Sequence, residues 1–336
     1  MGCNDEQSVD DRTGYVRLQD IPALNQSHCR IREPAVVENK INELINGGPE
    51  RMQVVSDFDY TITKQRTDDG TAVPSSFGIF NACKSLPDNF KAETDKLYHK
   101  YRPIEIDPHM PIDEKVNYMV EWWTKSGALA SGFAFDESEI DQMAGKFKHA
   151  LRDRTHELFL LLQRFQIPVL VFSAGLGNSV VSVLRQANIM HTNVKVVSNF
   201  LKYRNGMLDG FQMPMIHTFN KNETVLDGHE YYELVHTRDH IIVMGDSLGD
   251  AGMADGVPSS SHILKIGFLF EHVEANMEKY MNTFDIVLVD DQTMDVPLAL
   301  LGLIERRHQL RHPHENIAAT AAANVAAAPN QLSAAI

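Results

Sequence analysis

Apolar residues in this chain gather in short unbroken runs. "RMQVVSDFD" (51–59), "IPVLVFSAG" (167–175), "NVKVVSNF" (193–200), "HIIVMGDS" (240–247) and "FDIVLVDD" (284–291) read as strands buried on both faces. Between them lie stretches with helical periodicity, "RTHELFLLLQRF" (154–165) and "NSVVSVLRQANI" (178–189). A further helix over 36–46, "VVENKINELIN", stops at Gly47-Gly48. Buried strands separated by helices predict an α/β fold, a doubly wound parallel sheet covered on both faces.

One interval breaks the alternation. Residues 65–145 contain no buried-strand run and instead carry charged helical stretches, "DNFKAETDKLYHKYRP" and "DEKVNYMVEWWTKSG". That is far too long for an ordinary connection, so it predicts an inserted helical cap placed directly after the first strand. The expected division is an N-terminal extension (1–35, polar and irregular), a catalytic core (36–64 and 146–312), the cap (65–145) and an alanine-rich, disordered tail (313–336).

Composition narrows the partners. Of 336 residues, 45 are acidic and 31 basic, and the net charge of -14 argues against nucleic acid or an anionic membrane. Three cysteines, Cys3, Cys29 and Cys83, are too few and scattered for a disulfide framework or a zinc site and fit a reducing compartment. No run reaches membrane-spanning length. "MGCNDE" offers Gly2 and Cys3 for acylation, but Glu6 stands where the motif wants Ser or Thr. A free, cytoplasmic, monomeric protein is expected.

Three strand ends carry polar clusters: Asp57-Phe58-Asp59-Tyr60-Thr61, Ser173-Ala174-Gly175 and Gly245-Asp246-Ser247-Leu248-Gly249-Asp250. In a parallel sheet all three face one edge, where ligands of open α/β sheets bind. Paired carboxylates at the end of a buried strand repel each other unless a cation shares the site. Any one cluster could be a capped turn; their joint placement points to a site. "GLG" at 175–177 lacks the third glycine of a dinucleotide fingerprint. On the residues alone, Lys221 reads as a surface lysine, and Lys202 would be as good a choice for a site lysine.

These motifs resemble the haloacid dehalogenase superfamily of phosphohydrolases. Several segments, "IEIDPHMPIDEKVNYMVEWWTKS", "IPVLVFSAGLGN", "NVKVVSNF", "IHTFNKNE" and "IIVMGDSLGDAGMADGV", are similar to its cytosolic 5'-nucleotidase III family, which includes pyrimidine-specific and 7-methylguanosine-phosphate-specific members. The likeness runs from about Arg32 to Leu303 and departs most over "SSFGIFNACKSLP" (75–87).

The resemblance implies Asp57 as nucleophile forming an aspartyl-phosphate, and Asp59 as the proton donor and acceptor. It implies Mg²⁺ bound by Asp57, Asp59 (through its carbonyl) and Asp246, with Asp250 behind the metal's water shell. Phosphate would be held by Ser173, the backbone of Ala174 and Gly175, and Lys221. The base would be read by Glu105 and Ser126 and stacked on Trp123, leaving Trp122 to the cap core.

The implied activity is hydrolysis of nucleoside 5'-monophosphates to nucleoside and phosphate, favouring 7-methylguanosine monophosphate and CMP, with phosphate transfer to a second nucleoside within reach of the same intermediate. Competing readings are a pyrimidine-only (UMP/CMP) 5'-nucleotidase, a phosphatase for another small molecule, and a non-catalytic nucleotide-binding scaffold.

Overall fold

A computed structural model describes residues 14–147, 149–221, 235–255, 257–258 and 260–313. The expectations for Gly2, Cys3 and the tail beyond residue 313 lie outside these described residues. The strands are β1 (Cys29–Arg30), β2 (Met52–Ser56), β3 (Val169–Leu176), β4 (Val194–Asn199), β5 (Leu201–Arg204), β6 (Met207–Phe211), β7 (His240–Gly245), β8 (His262–Leu269) and β9 (Ile286–Val289). Seven of them form one sheet in the order β1-β9-β8-β7-β2-β3-β4. All its pairs are parallel except β1 with β9. The α/β architecture read from the apolar runs is therefore the one observed.

Alternation along the strands splits the core in two. Val54, Val171, Ile242 and Ile266 face one side, against α1 (Pro34–Gly47), α6 (Thr155–Arg164), α7 (Gly177–Gln186) and α9 (Asp295–Arg311). Val55, Leu170, Phe172 and Val243 face the other, against Ile216, Met253 and Ala254. Beyond them, α8 (Val273–Thr283) sets Tyr280 against Leu269 and Val287.

Between β2 and β3 the chain leaves the sheet and forms α2 (Ser76–Asn81), α3 (Asp88–Ile106), α4 (Ile112–Leu129) and α5 (Ser138–Ala144). Departure and return lie side by side. The Lys64 N–H donates to the Ala150 carbonyl at 2.7 Å, and that of Arg152 to the Ile62 carbonyl at 3.0 Å. The helices enclose their own apolar cluster, Phe80, Leu86, Phe90, Phe135 and Ile140.

Two expectations need correction. The N-terminal segment is not a loose extension from residue 14 onward: Val16, Ile21 and Leu24 are buried in the main core and Cys29–Arg30 pairs with β9. The segment 201–211, assigned to the catalytic core, is a hairpin of β5 and β6 whose Leu201, Leu208 and Phe211 belong to the cap cluster. Its turn, Asn205-Gly206, has both φ angles positive (52° and 77°), as a tight hairpin requires.

Replacing Ile21, 2% exposed in the core, by alanine is expected to lower stability by about 2–4 kcal/mol in chemical denaturation. A loss below about 0.5 kcal/mol, the size of an ordinary surface change, would show the segment to be peripheral.

Candidate active site

The central strand β2 delivers the first cluster. Asp57 follows its last residue and remains in register, its N–H donating to the Met244 carbonyl of β7 at 2.9 Å. The chain then turns sharply: Ile62 and Thr63 both donate to the Phe58 carbonyl, and Tyr60 takes a left-handed φ of 61°. Arg152, fully buried, holds this turn from beneath. Its Nε donates to the Thr61 carbonyl at 2.7 Å and Nη2 to that of Tyr60 at 2.5 Å.

Beside it, β7 ends in Gly245 and leads to Asp246 and Asp250. Gly245 is required by close approach, since a Cβ there would stand 2.1 Å from that of Asp250. One Asp250 oxygen accepts the Ser247 N–H and hydroxyl, each at 2.9 Å, as a cap would. The other accepts from Lys221. Asp250 thus caps the turn and pairs with Lys221 at once.

Lys221 reaches the pair from a loop across the sheet edge. Asn199 fixes that loop through the Ile216 N–H and carbonyl, at 2.8 and 2.7 Å. The Lys221 ammonium lies 2.5 Å from Asp57 and 2.7 Å from Asp250. Burial works against its charge, but Asp250 and Asp57 overcome this and raise its affinity for the proton. Lys202, the alternative on sequence, pairs instead with Asp209 of the hairpin at 3.1 Å.

Asp57, Asp246 and Asp250 each bring one carboxylate oxygen within 4.8 Å of the others. Burial, then the charges of Asp57 and Asp250, push the Asp246 carboxyl well above its usual range. One ammonium does not neutralise three carboxylates. An all-oxygen set so crowded fits a small hard divalent cation.

Ser173, Ala174 and Gly175 close β3 on the other flank of β2. Ser173 is fully buried and its Oγ accepts the Gly175 N–H at 3.0 Å. The Asp59 carboxyl meets the cap: Ser76 donates its N–H to Oδ1 and its hydroxyl to Oδ2, both at 2.6 Å.

A cavity of about 1070 Å³ rises from these residues into the cap. Glu105 is in its wall. Arg102 Nη1 donates to its Oε2 at 2.6 Å and Thr218 Oγ1 to its Oε1 at 2.5 Å. Burial alone would raise its pKa, but Arg102 and Thr218 hold it below the usual range, so Glu105 is ionised. Ser126, on α4, is buried and also lines the cavity.

Both tryptophans line it, against the expectation that only one would. Trp122 stacks on Tyr101 with centroids 5.8 Å apart, and Trp123 stands edge-on to Phe211 and Phe77. The roles divide differently from the expectation: Trp123 packs against the cap cluster while also facing the cavity. Two rings about 100° apart on a helix can share a wall when that helix presents the edge between them.

Sequence reasoning missed Ser76, Arg102, Arg152 and Thr218. Arg102 had a local signal, standing three residues before Glu105 on one helix.

The family description "Pyrimidine 5'-nucleotidase (UMPH-1)" matches residues 60–305. The chain belongs to the pyrimidine 5'-nucleotidase family. As a member it is a hydrolase, a 5'-nucleotidase. A Drosophila melanogaster relative named 7-methylguanosine phosphate-specific 5'-nucleotidase is 80% identical over 298 residues, covering 88% of this chain and 93% of its own. A Homo sapiens relative of the same name is 38% identical, covering 84% and 94%. The crystal structure of cytosolic 5'-nucleotidase IIIB bound to cytidine is 80% identical, with a TM-score of 0.85 over 88% of this chain and 99% of that one.

Gly175→Ala tests the packing of this candidate site directly. A Cβ there would stand 1.8 Å from Ser76 Oγ and 2.6 Å from Asp59 Oδ2. We expect phosphate release to fall about 100-fold or more with cooperative unfolding retained. An active Gly175→Ala enzyme would show that these contacts do not govern the chemistry.

Proposed function

We propose that this family member is a Mg²⁺-dependent 5'-nucleotidase that releases phosphate from free mononucleotides and favours 7-methylguanosine monophosphate and CMP. The observation that carries the substrate reading is Glu105: an ionised carboxylate in the wall of the cavity that Asp57, Trp122 and Trp123 also line. A carboxylate offers about four acceptor positions, so with Arg102 and Thr218 in place Glu105 retains room for base donors. Cytosine brings an exocyclic amine, and a guanine brings N1–H and an amine. Uracil has no amine to offer. Trp122 and Trp123 supply π-faces, and a cationic 7-methylguanine gains most from them. The names of the relatives, and the cytidine bound to the 80%-identical structure, agree with this reading.

Asp57, Asp246, the carbonyl of Asp59 and, behind them, Asp250 would hold the Mg²⁺. When bound, that ion supplies positive charge that lets a carboxylate approach a dianionic phosphate. In the first step an Asp57 oxygen attacks phosphorus, the bond from phosphorus to the 5'-oxygen breaks, and Asp59 gives its proton to that oxygen. In the second, water attacks the aspartyl-phosphate, Asp59 takes the water's proton, and inorganic phosphate leaves with the Asp57 carboxylate restored. Ser173, the amides at Ala174 and Gly175, and Lys221 hold the phosphoryl oxygens.

Among the described residues no helix is long and apolar enough to cross a membrane. The cytosolic name of its structural relative supports a cytoplasmic enzyme, for which we propose a monomer.

The decisive assay is phosphate release with Mg²⁺ from 7-methylguanosine monophosphate, CMP, UMP, GMP, AMP and a sugar phosphate. The first two should lead by about tenfold or more, roughly 1.4 kcal/mol of transition-state discrimination. Asp57→Asn should be inactive, a chelator should abolish release reversibly, and Glu105→Ala should flatten the preference. A leading sugar phosphate, or a Glu105→Ala enzyme with unchanged ranking, would overturn the substrate assignment; equal UMP and CMP rates would favour the pyrimidine-only reading.

A further inference from the structure

Ser76 is the first residue of α2 and has no exposed surface. Ser75 before it caps the helix, its hydroxyl accepting the Gly78 N–H at 3.2 Å. The N–H of residue 76 is one of those a helix cannot satisfy internally. It points out of the helix and donates to Asp59 Oδ1 at 2.6 Å. The Ser76 hydroxyl donates to Oδ2 at the same distance and accepts the Leu176 N–H at 3.1 Å. A cap serine therefore grips both oxygens of a core carboxylate and is itself gripped by the end of β3.

Among the described residues nothing on the core side duplicates this. Arg152 fixes the backbone of the turn through the Tyr60 and Thr61 carbonyls, and the Tyr60 N–H goes to Thr63 Oγ1 at 2.7 Å. The side-chain torsions of Asp59 are left to Ser76. The seat also demands Gly175, whose missing Cβ is the space in which the serine hydroxyl and Asp59 Oδ2 meet.

We propose that Ser76 is a positioning residue that aims the Asp59 carboxyl at the departing 5'-oxygen, and that it does so only while the cap is seated on the core. This rests on the reading of Asp59 as proton donor. Proton transfer needs the donor oxygen within hydrogen-bond reach of the leaving atom. A carboxyl whose two oxygens are held by a helix N–H and a buried hydroxyl is pre-aimed; one hydrated by mobile water is not. The contact that seats the cap thereby also sets the geometry of proton delivery.

The test keeps the base and changes only the leaving atom. CMP expels an alkoxide, which needs the proton. Its analogue with sulfur in place of the 5'-oxygen expels a thiolate, whose conjugate acid titrates near about 8.5 and which leaves without one. Full-length wild type, Ser76→Ala and Asp59→Asn are compared at saturating Mg²⁺ on both compounds in single turnover, reading release of cytidine or its 5'-thiol, which precedes the water attack in which Asp59 also serves.

For Ser76→Ala we expect the single-turnover release rate from CMP to fall about tenfold or more, with substrate affinity unchanged and the rate on the sulfur analogue within about twofold. Asp59→Asn should show the same selectivity more strongly. A Ser76→Ala variant slowed equally on both compounds has lost only its fold or cap seating, and one slowed on neither does not need the serine; either overturns the proposal. An Asp59→Asn variant equally slow on both would instead remove the proton-donor reading, and the proposal with it.

Discussion

Everything at the mouth of this sheet is arranged around the ammonium of Lys221, held between Asp57 and Asp250. Carboxylates buried at adjoining strand ends are stable only if positive charge stands among them, because burial alone drives them toward the neutral acid. That requirement reaches outward into the backbone. Asn199, on β4, ties down the loop that carries the lysine. Gly249 leaves room for the same loop, since a Cβ there would stand 2.3 Å from the Thr218 carbonyl. Gly245 lets Asp250 close in from the other side. Strand order β7-β2-β3 then brings the turn at Ser173-Ala174-Gly175 and the remaining aspartate to the same place.

The cap is joined to this centre through polar contacts. Ser76 meets Asp59, Arg102 meets Glu271 at 2.7 Å, and Glu105 meets Thr218 at 2.5 Å. Thr218 lies on the loop of Lys221, so the partner of the residue proposed to read the base and the residue that pairs with Asp57 share one short segment. Recognition and chemistry are thus mechanically close, although they belong to different layers of the molecule. The β5–β6 hairpin widens that contact by sending core-derived residues into the cap cluster.

Much of the sheet was legible because a strand covered on both faces is mostly apolar, and β2, β3, β7 and β9 carry such runs, as does β4 despite Lys195. β8 was not, because Lys265 and Gly267 interrupt "HILKIGFL". The structure explains the glycine: a Cβ there would stand 2.6 Å from the Phe284 ring. The two residues of β1 are too few to show any period. At the site, the strand-end motifs stood out since carboxylates beside apolar runs are conspicuous. Ser76 and Thr218 did not, because their importance lies in partners 17 and 113 positions away, and an isolated serine or threonine announces nothing. The split of the tryptophans failed for a related reason: helical spacing says which directions two rings take, but not where the cavity wall lies between them.

The cap leaves and rejoins the sheet through residues 62–64 and 150–152, which hydrogen-bond directly to each other. Such an insertion is topologically a decorated turn. Its length, helix count and lining can drift over generations while the register of β2 against β3 and β7 stays untouched, so new leaving groups can be sampled without re-inventing the phosphoryl chemistry. The tether works the other way for Ser76 and Arg102, whose bonds to the core are a toll on that freedom: a replacement cap must still offer something to hold Asp59.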